Sequence, residues 1–584
     1  MSLRSNYDKY PVVPVTSDSG ECALGWAQVA GRIRSAIRRG KFIVCVECYP
    51  GCFEQEIERE LVSALRPAVV IRSKDCFKSS EELEALFGRD LGNDPVFGRM
   101  NNYQLRDFLA DSKVGHSREQ IAAASDLILV IGTGASVIAE RWDLLIYADM
   151  ARWEIQMRQR KNEIGNLGFE NLSERASLKY KRAFFIDWRA ADREKVRLMP
   201  GIDFVLDTND RTLPKMISGW AMRRGLEMAA KQPFRVVPFF DPGPWGGQWM
   251  KEVCDLPREE KNFAWCFDCV PEENSLLLGF GDARVEIPSI NLVFMHPRQL
   301  LGDAVHGRFG TEFPIRFDFL DTMGGGNLSF QVHPLTEYIY EKFGIPYTQD
   351  ESYYLLDADE GGCVYLGVKE GIDRQQMISD LWRAQESDAD FPAEKYVNVW
   401  PAKKHDHFLI PAGTCHCSGK NSMVLEISAT PYIFTFKMWD WGRLGLDGRP
   451  RPIHLQHGIN NIQWDRTTSW VKENLVNCTQ LVSEGDGWCE ERTGLHEREF
   501  IETRRHWFKK TVEHHTNGGV NVLNLCEGRE AVVESPTDAF DPFVVHYAET
   551  FIVHAAVGPY TVRPCGESEG QQCATIKAFV RTNA

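Results

Sequence analysis

The chain has 584 residues, of which 43% are hydrophobic, 26% charged and 11% aromatic, so it has apolar side chains enough for three or four folded domains. The formal net charge of −15 disfavours nucleic acid and anionic membranes as main partners, because both carry negative charge. No apolar run is long enough to span a bilayer and no signal-peptide pattern is present, which predicts a soluble cytoplasmic protein with reduced cysteines.

Residues 1–232 alternate strand-like and helical patterns, which predicts an α/β domain with a parallel sheet. The run KFIVCVEC at 41–48 predicts a strand, and FEQEIERELVSALR at 53–66 has the apolar spacing of a helix. Further strand-like runs are AVVIRS at 68–73, DLILVIGTGAS at 126–136, RAFFIDW at 182–188 and IDFVLD at 202–207.

The order strand, loop, helix at 41–66 resembles the opening of nucleoside-kinase-like P-loop domains. A working phosphate loop needs G-x-x-x-x-G-K-[ST], with a lysine for the phosphates and a hydroxyl for magnesium. The stretch from Glu47 to Glu54 has neither, and Glu54 and Glu56 place negative charge where a phosphate would bind. We therefore expect a kinase-like scaffold with a degenerate phosphate loop and no phosphoryl transfer.

Prolines and glycines concentrate at 231–252 and indicate a crossing between domains. Beyond it, short β-rich runs with turn signals predict an all-β jelly-roll or barrel domain over 233–480, interrupted by a helix at 373–387. LLLGFG at 276–281, ARVEIP at 283–288 and NLVFMHP at 291–297 are counted among these β-rich runs. The same pattern of short β-rich runs at 481–584 predicts a second, smaller β lobe.

Candidate metal ligands lie between 331 and 416. In LSFQVHP, Gln331 and His333 are two residues apart, so on a strand both side chains point to one face. Glu351 begins a later strand-like run, and His416 follows the Pro-Gly turn of FLIPAGTCH. Two imidazoles, a carboxylate and an amide oxygen suit zinc or another borderline ion better than magnesium. A hydrogen-bonded core histidine is the alternative for each ring, and His405 with His407 forms a rival pair.

The runs FGTEFPIRFDFLD, LSFQVHPLTEYIYEKFG, ESYYLLDADEGG and FLIPAGTCH closely resemble the class I mannose-6-phosphate isomerase family, zinc enzymes of the cupin fold. The resemblance covers roughly 235–450 and implies that Gln331, His333, Glu351 and His416 bind Zn²⁺. It also implies that Trp245, in a Pro-Trp-Gly-Gly motif, lies near the active site. The stretch to 584 is similar to the family's second cupin lobe.

Several positions depart from the family pattern. Lys437 stands where the family has an arginine, which keeps the catalytic cation but not its planar geometry. Asp318 replaces a lysine associated with substrate phosphate, and the His-Lys pair before the zinc glutamate is Thr348-Gln349 here. Ser329 is retained, and Arg316, on the same strand face as Asp318, partly offsets its charge. We therefore expect Ser329, Arg316, Asp318 and Trp245 to bind substrate.

Three functions follow from these features. The first is a zinc-dependent aldose–ketose isomerase that interconverts mannose 6-phosphate and fructose 6-phosphate through a cis-enediol. The second is a zinc cupin isomerase of an unphosphorylated sugar, which Asp318 favours because carboxylates hydrogen-bond hydroxyl groups well. The third is a catalytically inactive sugar-binding or regulatory protein. The partner in each case is a small-molecule sugar or sugar phosphate.

Overall fold

The structure of the chain, a computed structural model, describes residues 5–16, 20–387, 389–429, 434–494 and 499–582. The chain forms two compact units, neither of which is continuous in sequence. The first unit comprises Val12–Met228 and Ser275–Met295. The second comprises Met1–Pro11, Ala229–Asn274 and His296–Ala584.

The first unit contains a seven-stranded mixed sheet. From edge to edge its strands are Ala23–Leu24, Lys215–Ser218, Phe204–Asp207, Leu144–Asp149, Phe42–Cys48, Leu127–Gly132 and Val69–Arg72. The last five pair in parallel, and the two at the other edge pair antiparallel. The strand Phe42–Cys48, which has parallel neighbours on both sides, is almost entirely buried because helices cover the sheet, as parallel sheets require. A kinase-like origin of this fold stays a prediction.

Helices separate the strands of this unit. They are Gly25–Ala36, Glu54–Leu65, Ser80–Leu91, Asp111–Ala123, Ala135–Ala139, Arg152–Arg160, Ala176–Arg182, Trp188–Leu198, Gly219–Ala229 and Ile290–Met295. The expectation of strands at RAFFIDW and NLVFMHP was wrong: the first is a π-helical turn, Ala183–Asp187, between two α-helices, and the second is largely helical. The first run is buried throughout, and the first three residues of the second are buried. A run of consecutive apolar residues has no period that distinguishes a strand from a helix.

The turn G-T-G-A after the strand Leu127–Gly132 contacts two carboxylates of the same unit. Glu47 accepts hydrogen bonds from the backbone N–H groups of Gly134 and Ser136 at 2.6 and 2.7 Å. Glu54 accepts one from the backbone N–H of Thr133 at 2.8 Å. The N–H groups that could bind an external anion here are therefore already engaged by the chain itself.

The hairpin formed by Ser275–Phe280 and Ala283–Pro288 corrects one predicted boundary. The sequence placed it in the domain 233–480, but Ser275–Phe280 pairs in parallel with Val12–Pro14, and the hairpin belongs to the first unit. Asp207 accepts a hydrogen bond from the backbone N–H of Glu286 at 2.9 Å and helps to hold the hairpin there. These pairings join residues more than 260 positions apart, so no local pattern indicates them.

The second unit begins with two facing antiparallel sheets, the arrangement of a jelly roll. The six-stranded sheet runs through His407–Ile410, Glu351–Ala358, Ser422–Ser428, Arg316–Asp321, Trp265–Cys269 and Phe239–Asp241. The five-stranded sheet runs through Val397–Pro401, Cys363–Val368, His416–Ser418, Phe330–Val332 and Phe436–Trp439. The associated helices are Trp249–Val253, Pro297–Leu301, Asp303–Phe309, Thr336–Phe343, Arg374–Glu386, Ala393–Tyr396, Leu455–Ile459 and Thr468–Asn474.

A second, smaller pair of sheets follows, with a hydrophobic core of its own. Its six-stranded sheet comprises Gln480–Gly485, Trp488–Gly494, Ile501–Phe508, Cys573–Val580, Asn521–Glu527 and Thr550–Val553, and its four-stranded sheet comprises Val512–His515, Pro559–Pro564, Glu530–Glu534 and Phe543–His546. Both sheet pairs lie in one compact unit, so the division at 481 into separate domains stays a prediction.

Two expectations about the whole chain can be compared with the structure. All sixteen cysteines are free thiols, most of them buried. Among the described residues, no helix combines the length and the apolar character that crossing a bilayer requires.

Buried charges tie the smaller sheet pair to the N-terminal segment and to the larger pair. The Arg235 guanidinium lies 2.7 Å from a carboxylate oxygen of Glu549 and 4.0 Å from one of Asp268, with all three side chains at most 3% exposed. Tyr7 donates a hydrogen bond to the same Asp268 carboxylate.

Replacing Arg235 with alanine leaves two buried carboxylates without their cation. We expect Arg235→Ala to lower the free energy of unfolding of this unit by about 3–5 kcal/mol, measured by urea denaturation. The matched control is Arg258→Ala, which breaks an exposed pair with Glu252 and should cost less than about 1 kcal/mol. Equal effects of the two substitutions would contradict the role of the buried pair.

Candidate metal centre and pocket

Gln331 lies in the five-stranded sheet between two other predicted site residues. Its Cα pairs with His416 on one neighbouring strand and with Lys437 on the other. Residues directly opposite each other on antiparallel strands share a face of the sheet. The register therefore brings an amide, an imidazole and an ammonium group to one face.

Glu351 and His333 complete the cluster. The two carboxylate oxygens of Glu351 lie 3.0 Å from His333 Nε2 and 2.9 Å from His416 Nε2, and all three side chains are 0% exposed. Gln331 Nε2 lies 3.2 Å from His416 Nε2, so rotating the amide by 180° brings its oxygen to the same point. The structure thus brings together the four side chains predicted to bind metal.

Backbone carbonyls fix the tautomer of both histidines. His333 Nδ1 lies 2.8 Å from the carbonyl oxygen of Phe434, and His416 Nδ1 lies 2.8 Å from that of Thr414. Because a carbonyl only accepts hydrogen bonds, each Nδ1 carries a proton, and each Nε2 is left to face Glu351. Metal-binding histidines are commonly held in this way.

The donor set fits a divalent cation. One donor atom from each of His333, Glu351 and His416 lies within 4.8 Å of the others. His333 Nε2 and Glu351 Oε1 are buried without a hydrogen-bond partner among the described residues, as expected of atoms that share an ion. Burial raises the pKa of Glu351, but the two imidazoles outweigh it, and the net pKa is well below its usual range. An ionised carboxylate with two imidazoles suits zinc.

The rival histidine pair lies outside this cluster. His405 contacts Glu527 at 3.1 Å and Tyr354 at 2.9 Å. His407 Nδ1 lies 2.7 Å from the carbonyl oxygen of Thr493, and burial lowers its pKa to about 4. Both rings therefore have structural partners away from Glu351.

A pocket of about 220 Å³ lies between the two sheets. It is smaller than the roughly 300–1,000 Å³ typical of pockets for drug-sized ligands, which fits a ligand of monosaccharide size. All five residues predicted for catalysis or substrate binding line it, together with Gln331; they are Trp245, Arg316, Asp318, Ser329 and Lys437. The predicted metal cluster and the predicted substrate residues therefore belong to one site.

The wall formed by the six-stranded sheet carries acidic groups. Asp318 pairs directly with Glu426 across the strands. Burial raises the pKa of Glu426 well above its usual range, and the negative charges of Glu351 and Asp318 act in the same direction. Burial raises the pKa of Asp318 to about 7, although Arg316 opposes that shift. The position at which the resemblance implies a lysine therefore holds a buried carboxyl group whose pKa is raised to about 7.

The opposite wall carries cations. Burial lowers the pKa of Lys437 to about 7, and the neighbouring Arg451 acts in the same direction. Arg451 donates hydrogen bonds to Ser329 and Asp440, at 2.9 Å and at 3.0 Å for the closer oxygen, and its guanidinium lies over the ring of Trp245. Ser329, which itself donates a hydrogen bond to Asp440 at 2.9 Å, is thus held between a cation and a carboxylate in the lining of the pocket.

Sequence reasoning missed several residues that line the pocket. They are Trp265, Phe267, Leu320, Leu328, Gln349, Glu426, Thr435 and Arg451. Glu426 had a signal, because it is the one charged residue in the buried strand Ser422–Ser428. Arg451 lies in a polar run with no signal of its own and reaches the pocket only through the fold.

Comparison with known proteins divides the chain in two. Residues 25–231 match a family described as a domain of unknown function, DUF8485. A mannose-6-phosphate isomerase from Streptococcus mutans is 28% identical over 247 residues, which are 41% of this chain and 72% of that protein. A second, from Bacillus subtilis, is 25% identical over 240 residues, covering 40% of this chain and 68% of that protein. The resemblance to mannose-6-phosphate isomerases is confirmed.

Solved structures include proteins of the same name. The crystal structure of the mannose-6-phosphate isomerase from Bacillus subtilis aligns with a TM-score of 0.48 at 18% identity, covering 59% of this chain and 99% of that chain. A putative mannosephosphate isomerase from Archaeoglobus fulgidus aligns with a TM-score of 0.44 at 17% identity, covering 60% of this chain and 98% of that chain.

Removing one imidazole should abolish tight metal binding. We expect the purified protein to hold about one zinc ion per chain and His416→Ala to lose it on dialysis against a chelator, as measured by elemental mass spectrometry. The matched control is His407→Ala, which removes a buried histidine outside the cluster and should leave the metal content unchanged. A His416→Ala protein that retains its metal would contradict the ligand assignment.

Proposed function

We propose that the chain is a zinc-dependent aldose–ketose isomerase that interconverts mannose 6-phosphate and fructose 6-phosphate. The observation that carries the proposal is the buried group of His333, Glu351 and His416 beside a sugar-sized pocket. The similarity to mannose-6-phosphate isomerases, which covers about two fifths of the chain, supports it.

Zinc would be held by Gln331, His333, Glu351 and His416. When bound, it would supply Lewis acidity toward the two neighbouring sugar oxygens between which the carbonyl group moves. The three charged or imidazole ligands are fully buried, so the chain keeps bulk water away from this end of the pocket.

Lys437 supplies the cation for the enediolate. Its strand pairs with that of Gln331, so the ammonium group lies on the same face as the ligands. Negative charge develops on the sugar oxygens when the hydrogen on carbon leaves as a proton, and a fixed cation stabilises that charge. The aromatic wall of Trp245 and Trp265, whose rings are 4.1 Å apart, closes another side of the pocket.

The phosphate group has two cationic candidates among the pocket residues, Arg316 and Arg451. Arg316 is fully buried beside Asp318, and its pKa rises despite burial because of the surrounding carboxylates. Arg451 already pairs with Asp440 and lines the pocket together with Ser329. An anionic group would therefore be bound at the Arg451 end, where fewer carboxylates compete.

An isomerase of an unphosphorylated sugar is the second candidate. Asp318 and Glu426 favour it, because two carboxyl groups in one pocket wall form hydrogen bonds with neutral hydroxyl groups, and Asp318 in its ionised form repels a phosphate.

Hydrogen exchange at carbon 2 distinguishes these functions. We expect the zinc-loaded protein in deuterated water to exchange the C2 hydrogen of mannose 6-phosphate and to form fructose 6-phosphate, followed by NMR. Exchange with mannose but not with mannose 6-phosphate would select the second candidate. No exchange with either sugar would contradict both isomerase functions and leave a sugar-binding role.

Lys437 should affect catalysis more than structure. We expect Lys437→Gln to lower kcat about 100- to 1,000-fold, as loss of one group that stabilises a developing oxyanion does. Lys437→Arg keeps the charge and should recover part of the rate. The matched control is Lys472→Gln, on the exposed surface of the helix Thr468–Asn474. Equal rates for Lys437→Gln and the control would contradict the assignment.

A further inference from the structure

Asp318 is a buried carboxyl group with one oxygen that forms no hydrogen bond within the described part of the chain. It lies in the strand Arg316–Asp321, lines the pocket and is 7% exposed. Its Oδ1 atom is buried without a hydrogen-bond partner among the described residues. An unsatisfied polar atom of this kind destabilises the folded state and therefore calls for a functional explanation.

Asp321 in the same strand shows the structural alternative. Its two carboxylate oxygens accept hydrogen bonds from the backbone N–H groups of Met250 and Met323 at 2.9 and 3.0 Å. Asp321 thus joins the helix Trp249–Val253 and the turn at Met323 to the strand, whereas Asp318 Oδ1 has no such partner among the described residues. The difference separates a carboxylate that supports the fold from one that is available to a ligand.

The other ionisable groups of the pocket are less suited to moving a proton between carbon atoms. Arg316 and Arg451 stay protonated. Gln349 donates hydrogen bonds to both Glu426 and Glu351, which ties Glu426 to a predicted metal ligand. Lys437 has the role of a cation in the proposed function. Lys437, whose pKa of about 7 also allows proton transfer, is committed to that role, which leaves Asp318 to accept and return the proton.

We propose that Asp318 is the general base of the aldose–ketose isomerisation. This inference rests on the proposed function. The C2–H bond breaks, its hydrogen passes as a proton to Asp318, its electron pair forms the C1–C2 double bond, and the π electrons of the C1 carbonyl group move to O1, which gives the enediolate. The proton on Asp318, which exchanges with water in competition with transfer, then bonds to C1 through the electrons of the C1–C2 double bond, while the hydroxyl proton of O2 passes to O1 and its electron pair forms the C2 carbonyl group. Carbon 2 is oxidised, carbon 1 is reduced, and no other reactant takes part.

The electrostatics of the pocket support this role. Burial raises the pKa of Asp318 to about 7, where a carboxyl group both accepts and releases protons at neutral pH. Charged groups surround Asp318 on each neighbouring element. Arg316 lies on its own strand, and Glu426 and Glu351 lie on the next two strands of the sheet. Asp268 and Glu273 lie toward the other edge of the sheet, and Lys437 and Arg451 lie on the opposite wall of the pocket. Because the base must be ionised, the rate should fall as the pH drops below about 7.

The test is Asp318→Asn, which keeps the shape of the side chain and removes the base. We expect the rate of C2 hydrogen exchange, with mannose 6-phosphate and with mannose, to fall about 100- to 10,000-fold. Zinc content and sugar affinity, measured by elemental mass spectrometry and calorimetry, should stay unchanged. The matched control is Asp359→Asn, an exposed turn residue outside the pocket, which should exchange at the wild-type rate.

A second variant keeps the test decisive if Asp318→Asn does not fold. Asp318→Glu retains a carboxyl group and should keep measurable exchange, with the acidic limb of its pH–rate profile shifted from that of the wild type. An Asp318→Asn protein that folds and exchanges within tenfold of the wild type, or an Asp318→Glu profile with an unmoved limb, would overturn the assignment and leave the isomerase function standing. A wild-type protein that exchanges neither sugar would overturn both.

Discussion

The carboxylate of Glu351, enclosed between two imidazoles, is the constraint around which the larger sheet pair is organised. Removing such a charge from water costs several kcal/mol unless a cation compensates it. Compensation requires donors from three separate strands to meet within a few ångströms, as they do here. A slip of one residue in the strand of Gln331 would turn its side chain to the opposite face and break the cluster.

The same register distributes charge over the pocket. The row that contains Gln331 ends in the ammonium of Lys437, and the facing sheet pairs Asp318 with Glu426. A sugar between them would meet positive charge on one side and carboxyl groups on the other. Such a division suits a reaction in which oxygen atoms gain negative charge while a carbon atom loses a proton, since each event needs the opposite kind of group.

Local spacing predicted the part of the site that depends on a single strand. Gln331 and His333 share a face because side chains alternate along a strand, and Arg316 and Asp318 share one for the same reason. Glu426 and Arg451 belong to the site only because distant segments of the chain come together. The spacing of residues within one segment does not indicate such contacts. The prediction of a strand at RAFFIDW was wrong for a different reason. Complete burial removes the periodicity that distinguishes a strand from a helix.

The hairpin Ser275–Pro288 determines where the chain could be cut into fragments that fold independently. The backbone passes from one unit to the other after Pro11, Met228, Asn274 and Met295. A fragment ending at residue 232 would keep Val12–Pro14 but lose both strands that pair beside it. The complementary fragment would carry those strands with an open edge, which invites association with other chains. No single cut, by protease or by truncation of the gene, therefore releases either unit whole.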